Sequence, residues 1–200
     1  MSKVSNVPLL LCRTWKVCPS GWSVNAVAGP MKSRFASFCR FSSVSTSGNV
    51  WEHFALTYDG ISTFRAYKNG LPTPNATFTG FSGSPVTGPL VAGNTPKGFP
   101  YTGAMDEVRL WNEQRSDAQI LASYNTELTS MSPCLEIYWK FNHGFVGAAN
   151  SLLTTVPDVA NTVLQNGTLA LFALSGATSN YTLGSGITEL ASTYSPAPEI

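Results

Sequence analysis

The carboxylates of this chain are the first residues to test for catalysis. A retaining glycosidase needs two carboxyl groups about 5 Å apart. On a strand such partners stand two residues apart, because successive side chains alternate between faces. The expected run, E-x-D-x-x-E, does not occur. Asp106 and Glu107 are adjacent and so are predicted to point to opposite faces, while Glu113 and Asp117 follow the strand.

The two histidines, His53 and His143, have no serine or cysteine motif around them that would make a nucleophilic site. His53 stands beside Trp51 in an alternating run, so we expect it to pack across strands. The residues that could do chemistry therefore predict a protein that is not an enzyme.

The long segment Gly80–Gly103 carries the side chains best suited to hold a sugar. It is rich in Gly and Pro and contains Phe81, Phe99 and Tyr101, whose flat rings can stack on pyranose C–H groups. The alternative role of these rings is to plug the open end of a sandwich. The candidate ligand contacts are Asn94, Lys97, Phe99 and Tyr101.

Two glycine turns organise the strands before this segment. Asp59-Gly60 and Asn69-Gly70 are strong turn signals, because Gly and Asn accept positive φ. Phe54, Leu56 and Tyr58 alternate onto one face before the first turn. Both faces of these strands are partly apolar, which favours a sheet packed into a sandwich.

A strand and a capped helix follow the long segment. The predicted faces of 104–111 are Asp106, Val108 and Leu110 on one side and Met105, Glu107, Arg109 and Trp111 on the other. Ser116 precedes Gln119 by three residues, the spacing of a capping box. A helix is therefore predicted over 116–124, with Ile120, Leu121 and Tyr124 packing on the sandwich.

The remaining strands are predicted from breaks and alternation. Early strands are expected at Pro8–Trp15, Trp22–Ala28 and Arg34–Ser43, and short ones near Asn166–Phe172. A strand over Leu135–Phe141 would place Leu135, Ile137, Trp139 and Phe141 on one face. The tryptophans expected in the core are Trp15, Trp22, Trp51, Trp111 and Trp139.

The composition excludes several classes of function. Charged residues make up 12% of the chain, about half the usual fraction. The net charge is +1 without a basic stripe, so nucleic acid binding lacks its electrostatic driving force. No apolar run approaches about 18 residues, so no membrane insertion is expected.

Several motifs, taken in order, identify a family. WEHFALTYDG, YKNG and FPYTGAMDEVRLWNEQRSDAQI resemble the concanavalin A-like lectin/glucanase superfamily, and within it the laminin-G-like jelly-roll modules of secreted or surface proteins. NTELTSMSPCLEIYWKFNHGFVGAAN and NGTLALFALSGATSNYT are similar to the segment that follows such modules in bacterial surface proteins. The likeness covers about 51–182 as an ordered series, whereas 1–50 match poorly.

The resemblance implies an all-β fold: an antiparallel β-sandwich of the jelly-roll, concanavalin A-like type with one short helix. The sandwich is expected in 1–130. A returning strand with a Gly-, Ser-, Thr- and Asn-rich extension, or the start of a following unit, is expected in 131–190. A linker-like tail is expected in 191–200. The resemblance also implies an extracellular or cell-surface location.

Modules of this kind often hold a structural calcium ion, which needs six to eight oxygen ligands. Asp106 is the candidate ligand, and its alternative role is a carboxylate bonded to loop amides or to an arginine. An extracellular location would also favour at least one disulfide. The candidate cysteines are Cys12, Cys18, Cys39 and Cys134, and their alternative is four buried, reduced thiols.

Three acceptor patterns for N-glycosylation occur, at Asn75, Asn166 and Asn180. The function expected first is a non-catalytic extracellular module that serves as a structural or adhesive subunit of a surface assembly, with neighbouring copies or modules as partners. Sparse charge on the strands favours edge-to-edge contact in such an assembly. The alternative is a lectin-like, carbohydrate-binding recognition module with glycans as partners.

Overall fold

Eight strands form one antiparallel sheet in the described part of the chain. The structure is a computed structural model that describes residues 2–5, 22–28, 51–79, 92, 104–160, 165–176 and 180–183, the first two ranges by backbone alone. The strands are β1 (Ser2–Ser5), β2 (Trp22–Ala28), β3 (Glu52–Tyr58), β4 (Phe64–Lys68), β5 (Leu71–Phe78), β6 (Ala104–Trp111), β7 (Leu135–Trp139), β8 (Thr155–Val156), β9 (Gly167–Thr168) and β10 (Tyr181–Leu183).

The sheet runs in the order β10-β1-β6-β2-β3-β4-β5, with β7 also paired to β6, and β8 and β9 form a separate pair. All of these pairings are antiparallel. The predicted all-β, antiparallel fold class is therefore confirmed. The predicted strand Trp22–Ala28 is present as β2, whereas Pro8–Trp15 and Arg34–Ser43 lie outside the described residues.

Strand β6 is the centre of the sheet. Its whole length pairs with β2 along one edge. Along the other edge Ala104 and Met105 pair with β1, and Val108 to Trp111 pair with β7. Asp106 and Glu107 stand where the second partner changes, and the β2–β6 register shifts there.

Glu107 forms a β-bulge, and the bulge changes which side chains share a face. Its φ is 52°, a left-handed conformation that interrupts the alternation of the strand. Met105 consequently packs in the same core cluster as Val108 and Leu110. The prediction that Met105 faces away from Val108 is therefore wrong. Asp106 is next to Met105 and takes the opposite face, so the prediction that Asp106 shares the face of Val108 is also wrong.

The two predicted turns are present. The Asp59 carboxylate oxygen Oδ1 accepts hydrogen bonds from the backbone N–H groups of Ile61, Ser62 and Thr63 at 2.8, 2.8 and 2.9 Å. These bonds lower the pKa of Asp59 to about 2. Asn69 and Gly70 have φ values of 49° and 80°, as the turn between β4 and β5 requires.

The helix α1 (Asp117–Ser123) begins at the predicted capping box. The Ser116 side chain accepts from the Gln119 backbone N–H at 3.3 Å, and the Gln119 side chain accepts from the Ser116 N–H at 2.8 Å. Ile120 is buried with Ala55 and Tyr67. Leu121 is 48% exposed, so Ile120 is the buried anchor of the helix and the prediction for Leu121 is only partly met.

The apolar face of the sheet is covered by the described residues from 141 to 183, here called the C-terminal segment. Its core cluster consists of Phe54, Met105, Val108, Leu110, Ile137, Trp139, Phe141, Val156, Leu174 and Tyr181. Trp111 is buried in a second cluster with Leu135 and Tyr138. The β6–β7 register shifts between Leu110 and Trp111, so Leu135 faces away from Ile137. The prediction that these two residues share one face is therefore wrong. Trp111 and Trp139 are core residues, as predicted, and Trp51 is half-buried. Trp15 and the side chain of Trp22 lie outside the residues that the structure describes.

Candidate functional site

The segment between β5 and β6 is the candidate ligand-binding segment, and the structure fixes its two ends. Phe78 pairs with Phe64 at the end of the sheet where β6 finishes, whereas β6 begins at Ala104 at the opposite end. Within the segment the structure describes Ala92, which packs against the apolar core cluster. Within this connection, Ala92 therefore lies against the apolar face of the sheet.

The predicted ligand contacts Asn94, Lys97, Phe99 and Tyr101 lie outside the described residues. The described residues on either side of these four are Ala92 and Ala104. Ala92 packs against the core cluster, and Ala104 pairs with β1. The proposed sugar contacts consequently remain a prediction.

The carboxylate of Glu107 belongs to a buried polar network. Its Oε2 accepts hydrogen bonds from the Arg109 guanidinium and from the Tyr138 hydroxyl, each at 2.5 Å. All three side chains are almost completely buried. Burial raises the pKa of Glu107, and the positive charge of Arg109 opposes that rise.

Arg109 also fastens the connection between α1 and β7 to the sheet. Its Nη1 donates to the Ser123 carbonyl at 2.9 Å, and its Nη2 donates to the Thr126 carbonyl at 2.5 Å. Ser123 is the last residue of α1, where a cation is favoured because the helix carbonyls there lack helical partners. Such a network stabilises structure and leaves Glu107 inaccessible to a substrate.

The other carboxylates weighed for catalysis are bound elsewhere. Asp106 is fully buried in β6. Glu113 pairs with Arg115 at 2.5 Å. Asp117 accepts from the Arg65 guanidinium at 2.9 Å and from the Tyr67 hydroxyl at 2.8 Å. These carboxylates are thus placed in separate contacts and form no catalytic pair within the described residues.

His53 packs under the helix, and its expected structural role fits the geometry. Its ring lies 6.0 Å from that of Tyr124, the residue that ends α1, in an edge-on arrangement. Among the residues the structure describes, neither ring nitrogen of His53 has a hydrogen-bond partner. Burial, assisted by the charge of Arg109, lowers the pKa of His53 to about 3.

His143 occupies the other side of the molecule. Its Nε2 lies 2.9 Å from the Thr155 carbonyl oxygen and 2.7 Å from the Tyr181 hydroxyl. Gly144 follows it, and a Cβ there would collide with the Tyr181 ring, so the chain passes that ring too closely for a side chain. Burial lowers the pKa of His143, and the Thr155 carbonyl opposes that change.

Calcium binding at Asp106 stays a prediction. No group of three His, Cys, Asp or Glu side chains suited to a metal ion occurs in the ranges that the structure describes. Calcium takes six to eight oxygens, many of them from backbone carbonyls, which such a side-chain group does not include.

Cys134 carries a free thiol in a half-buried position. Burial raises the pKa of this thiol, and Glu113 adds to the rise. Within the described ranges Cys134 therefore has no disulfide partner. Cys12, Cys18 and Cys39 lie outside the described residues, and a disulfide among them stays a prediction.

One predicted glycosylation site does not fit. Asn180 is fully buried, and its side-chain nitrogen donates to the carbonyls of Ala148 and Gly176 at 2.8 and 3.0 Å. A glycan replaces one of the two hydrogens on that nitrogen, so at least one of these bonds would be lost. Asn166 is exposed and accepts from the Asp158 backbone N–H, whereas Asn75 lies in β5.

Sequence reasoning did not identify the buried network around Arg109. A signal was present, because Glu107 and Arg109 are opposite charges two residues apart on one strand. The partner Tyr138 lies directly across from Arg109 on β7, and that pairing comes from the tertiary fold.

No helix in the described ranges is both long enough and apolar enough to span a membrane.

Comparison with known proteins places the fold. Among solved structures, the chain is similar to a candidate carbohydrate-binding protein from Bacteroides ovatus, with a TM-score of 0.54 and 15% sequence identity. The similarity covers 90% of this chain and 62% of that protein, so this chain spans less than two thirds of its length. At that identity the likeness is one of fold. No curated protein matches the sequence.

A laminin-G family model, described as the concanavalin A-like lectin/glucanases superfamily, matches residues 25–121, just under half of the chain. The matched region holds strands β3 to β6 and most of α1, the elements that the motifs had identified. The predicted resemblance to the concanavalin A-like lectin/glucanases superfamily is therefore confirmed over residues 25–121.

Proposed function

We propose that this protein is a non-catalytic carbohydrate-binding module, with its ligand contacts in the segment Gly80–Gly103. The superfamily and the Bacteroides ovatus protein of similar fold support a sugar as the ligand. Within the segment Tyr101 and Phe99 would stack on sugar rings, and Asn94 and Lys97 would bind hydroxyl groups. An extracellular or surface location belongs to the same proposal.

The placement of the described side chains carries this proposal. The carboxylates of β6 are buried under α1, and the apolar face of the sheet is covered by the C-terminal segment. Neither face therefore offers an open platform in the described ranges. A long connection held at Ala92 and Ala104 is the remaining place for adjustable contacts, and loops on a rigid scaffold commonly bind ligands.

Glycan-array binding of the whole chain tests the proposal. Tyr101→Ala is expected to reduce binding by about tenfold or more, because a ring stacked on the ligand contributes over 1 kcal/mol. Ile61→Ala is the control, since Ile61 is 79% exposed in the turn between β3 and β4. Equal loss in both variants, or no glycan bound by the parent chain, would count against the proposal.

A second function, a structural or adhesive subunit of an extracellular assembly, is favoured by one observation. The C-terminal segment presents large apolar side chains to solvent and no exposed charge over its described residues. The edge strand β5 is a poorer contact, because Pro72 and Pro74 lack the N–H groups that strand pairing uses. The native mass by light scattering tests this function: filaments or defined oligomers support it, and a monomer opposes it.

Calcium binding at Asp106 has its own test. If the ion contributes, the melting temperature rises with added calcium and falls with a chelator, because a ligand stabilises the state it binds. Asp106→Asn is expected to remove that response. A melting temperature that does not respond to calcium or chelator in the parent chain would remove calcium from the proposal.

A further inference from the structure

Two leucines of the C-terminal segment are almost completely exposed. Leu152 is 93% exposed and Leu171 is 92% exposed. Phe145 and Val146 add further exposed apolar surface, at 52% and 42%. Single exposed apolar residues are ordinary, but a group of them in one place marks an interaction surface.

The backbone brings these residues to one place. The Asn150 N–H donates to the Leu174 carbonyl at 2.6 Å, and the Leu169 N–H donates to the Thr154 carbonyl at 2.8 Å. Leu152 lies between the two contacts on one segment, and Leu171 lies between them on the facing segment. The two leucines are therefore near neighbours.

A side-chain amide joins the remaining two residues to this place. The Asn150 side chain accepts from the Phe145 N–H at 2.9 Å and donates to the Phe145 carbonyl at 2.7 Å. Asn150 also begins the turn that carries Leu152, because its backbone carbonyl accepts from the Leu153 N–H. Phe145 and its neighbour Val146 thus lie beside that turn. We call Phe145, Val146, Leu152 and Leu171 the leucine patch.

The segment that carries the leucine patch has no exposed charge among its described residues. From 141 to 183 the only histidine is His143 and the only Asp, Glu, Lys or Arg residue is Asp158. Its carboxylate is buried and accepts from the backbone N–H groups of Tyr138, Ala160 and Gln165 at 2.8, 2.9 and 2.9 Å. A partner recognised through charge would find nothing to pair with here.

We propose that the leucine patch binds the same patch of a second copy of this chain. A two-fold contact places identical surfaces against each other, which is tolerated where neither surface has a charge that would meet its own kind. The net charge of the whole chain is only +1, so long-range repulsion between copies is small. The inference rests on the assembly function above and is independent of carbohydrate binding.

The conformation of Leu171 agrees with a role outside its own chain. Its φ is 65°, in the left-handed region that costs a residue with a side chain some stability. Leu174 has a similar φ of 54° but is buried in the core, which offsets the cost. Leu171 gains no such burial within one copy.

Sedimentation velocity of the whole chain over about 1 to 100 µM tests the surface, because self-association follows mass action. The parent chain is expected to shift from monomer to dimer with concentration. Leu152→Asp and Leu171→Asp are each expected to raise the dimer dissociation constant by about tenfold or more. Both side chains point into solvent, so the circular dichroism spectrum should not change, nor should the melting temperature at low concentrations where the monomer prevails.

Ile61→Asp is the matched control. Ile61 is 79% exposed in the turn between β3 and β4, and the same change there should leave association unaltered. A parent chain that is monomeric over the whole range would overturn the leucine patch together with the assembly function. A dimer that neither leucine variant weakens would overturn the leucine patch alone and move the assembly contact to another surface.

Discussion

The two faces of the large sheet are closed by different kinds of interaction. On one face, α1 and the chain after it are held by buried charges, with Arg109 bonded to Glu107 and to the carbonyls of Ser123 and Thr126. On the other, the C-terminal segment is held by apolar packing around Trp139, by neutral hydrogen bonds and by the buried Asp158 carboxylate, which accepts from the Tyr138 N–H. One sheet thus has an ionic side and an apolar side.

One face is closed by a buried ion pair, whereas the segment that covers the other face exposes apolar residues. Buried charges demand fixed geometry, so the ionic side is conformationally constrained. Apolar packing is less directional, so the covering segment on the apolar side can also present apolar residues outward. The four predictions that follow test this contrast, from the largest expected effect to the smallest.

Arg109→Met should give the largest loss. It leaves Glu107 buried without its cation, which is expected to lower the free energy of unfolding by about 3 to 5 kcal/mol in urea titrations. Arg65→Met is the matched control, because the Arg65–Asp117 pair at 2.9 Å is exposed on both sides. Exposed pairs contribute about 0 to 1 kcal/mol. Equal losses in the two variants would show that the buried Arg109–Glu107 pair contributes no more to stability than the exposed Arg65–Asp117 pair.

Leu174→Ala tests the apolar side. Removing this buried side chain from the core cluster is expected to cost about 2 to 5 kcal/mol of unfolding free energy, since the transfer energy is lost and a cavity remains. The loss should be the same at low and high salt, unlike that of an ionic contact. A loss of less than about 1 kcal/mol would mean that the C-terminal segment packs loosely.

His53 should make the ionic side sensitive to acid. Its pKa is near its usual 6.5 in the unfolded chain and about 3 in the folded one, so below pH 6.5 the unfolded state binds the extra proton. Stability is expected to fall by about 1.4 kcal/mol per pH unit, or about 2 kcal/mol between pH 6.5 and about pH 5.

Replacement separates His53 from the other titrating groups. His53→Gln should remove most of that slope in urea titrations at several pH values. His143→Gln is the comparison on the apolar side, and the change should be smaller, because the Thr155 carbonyl opposes the lowering of the His143 pKa. An unchanged slope in His53→Gln would assign the acid sensitivity to other residues.

Ser116→Ala should have the smallest effect of the four. It removes one half of the capping box, which typically costs about 1 kcal/mol. Ser123→Ala, at the other end of α1, is the control. Its hydroxyl donates to the Gln119 carbonyl, a bond that contributes little to helix stability. A thermal melt of both variants checks the difference, and a larger effect at Ser123 would contradict the capping role.

The elements that were correctly predicted are those with local causes. The turns at Asp59 and Asn69 and the capped start of α1 follow from groups within a few residues of each other. The faces of Met105 and Asp106 were predicted incorrectly, because β6 bulges at Glu107, where its partner strand changes from β1 to β7. That change is made by residues distant in the sequence, so alternation alone could not reveal it.

The candidate site divides in the same way. The sequence indicated which carboxylates could not form a catalytic pair and which loop residues could hold a sugar. It did not show that Asn180 is buried among backbone carbonyls, which removes it from the glycosylation candidates. It also did not show that Leu152 and Leu171 are neighbours, because the hydrogen bonds of Asn150 and Thr154 bring them together.

The sequence by itself determined the fold class, the resemblance to the superfamily, the main turns and the start of the helix, because these depend on local conformation and on an ordered series of motifs. Tertiary structure alone decided which face each side chain of β6 takes, how Arg109 pairs, and what the C-terminal segment covers and exposes. The physical reason is that strand pairing joins residues far apart in the chain. A shift of one residue in that pairing reverses the faces of everything beyond it.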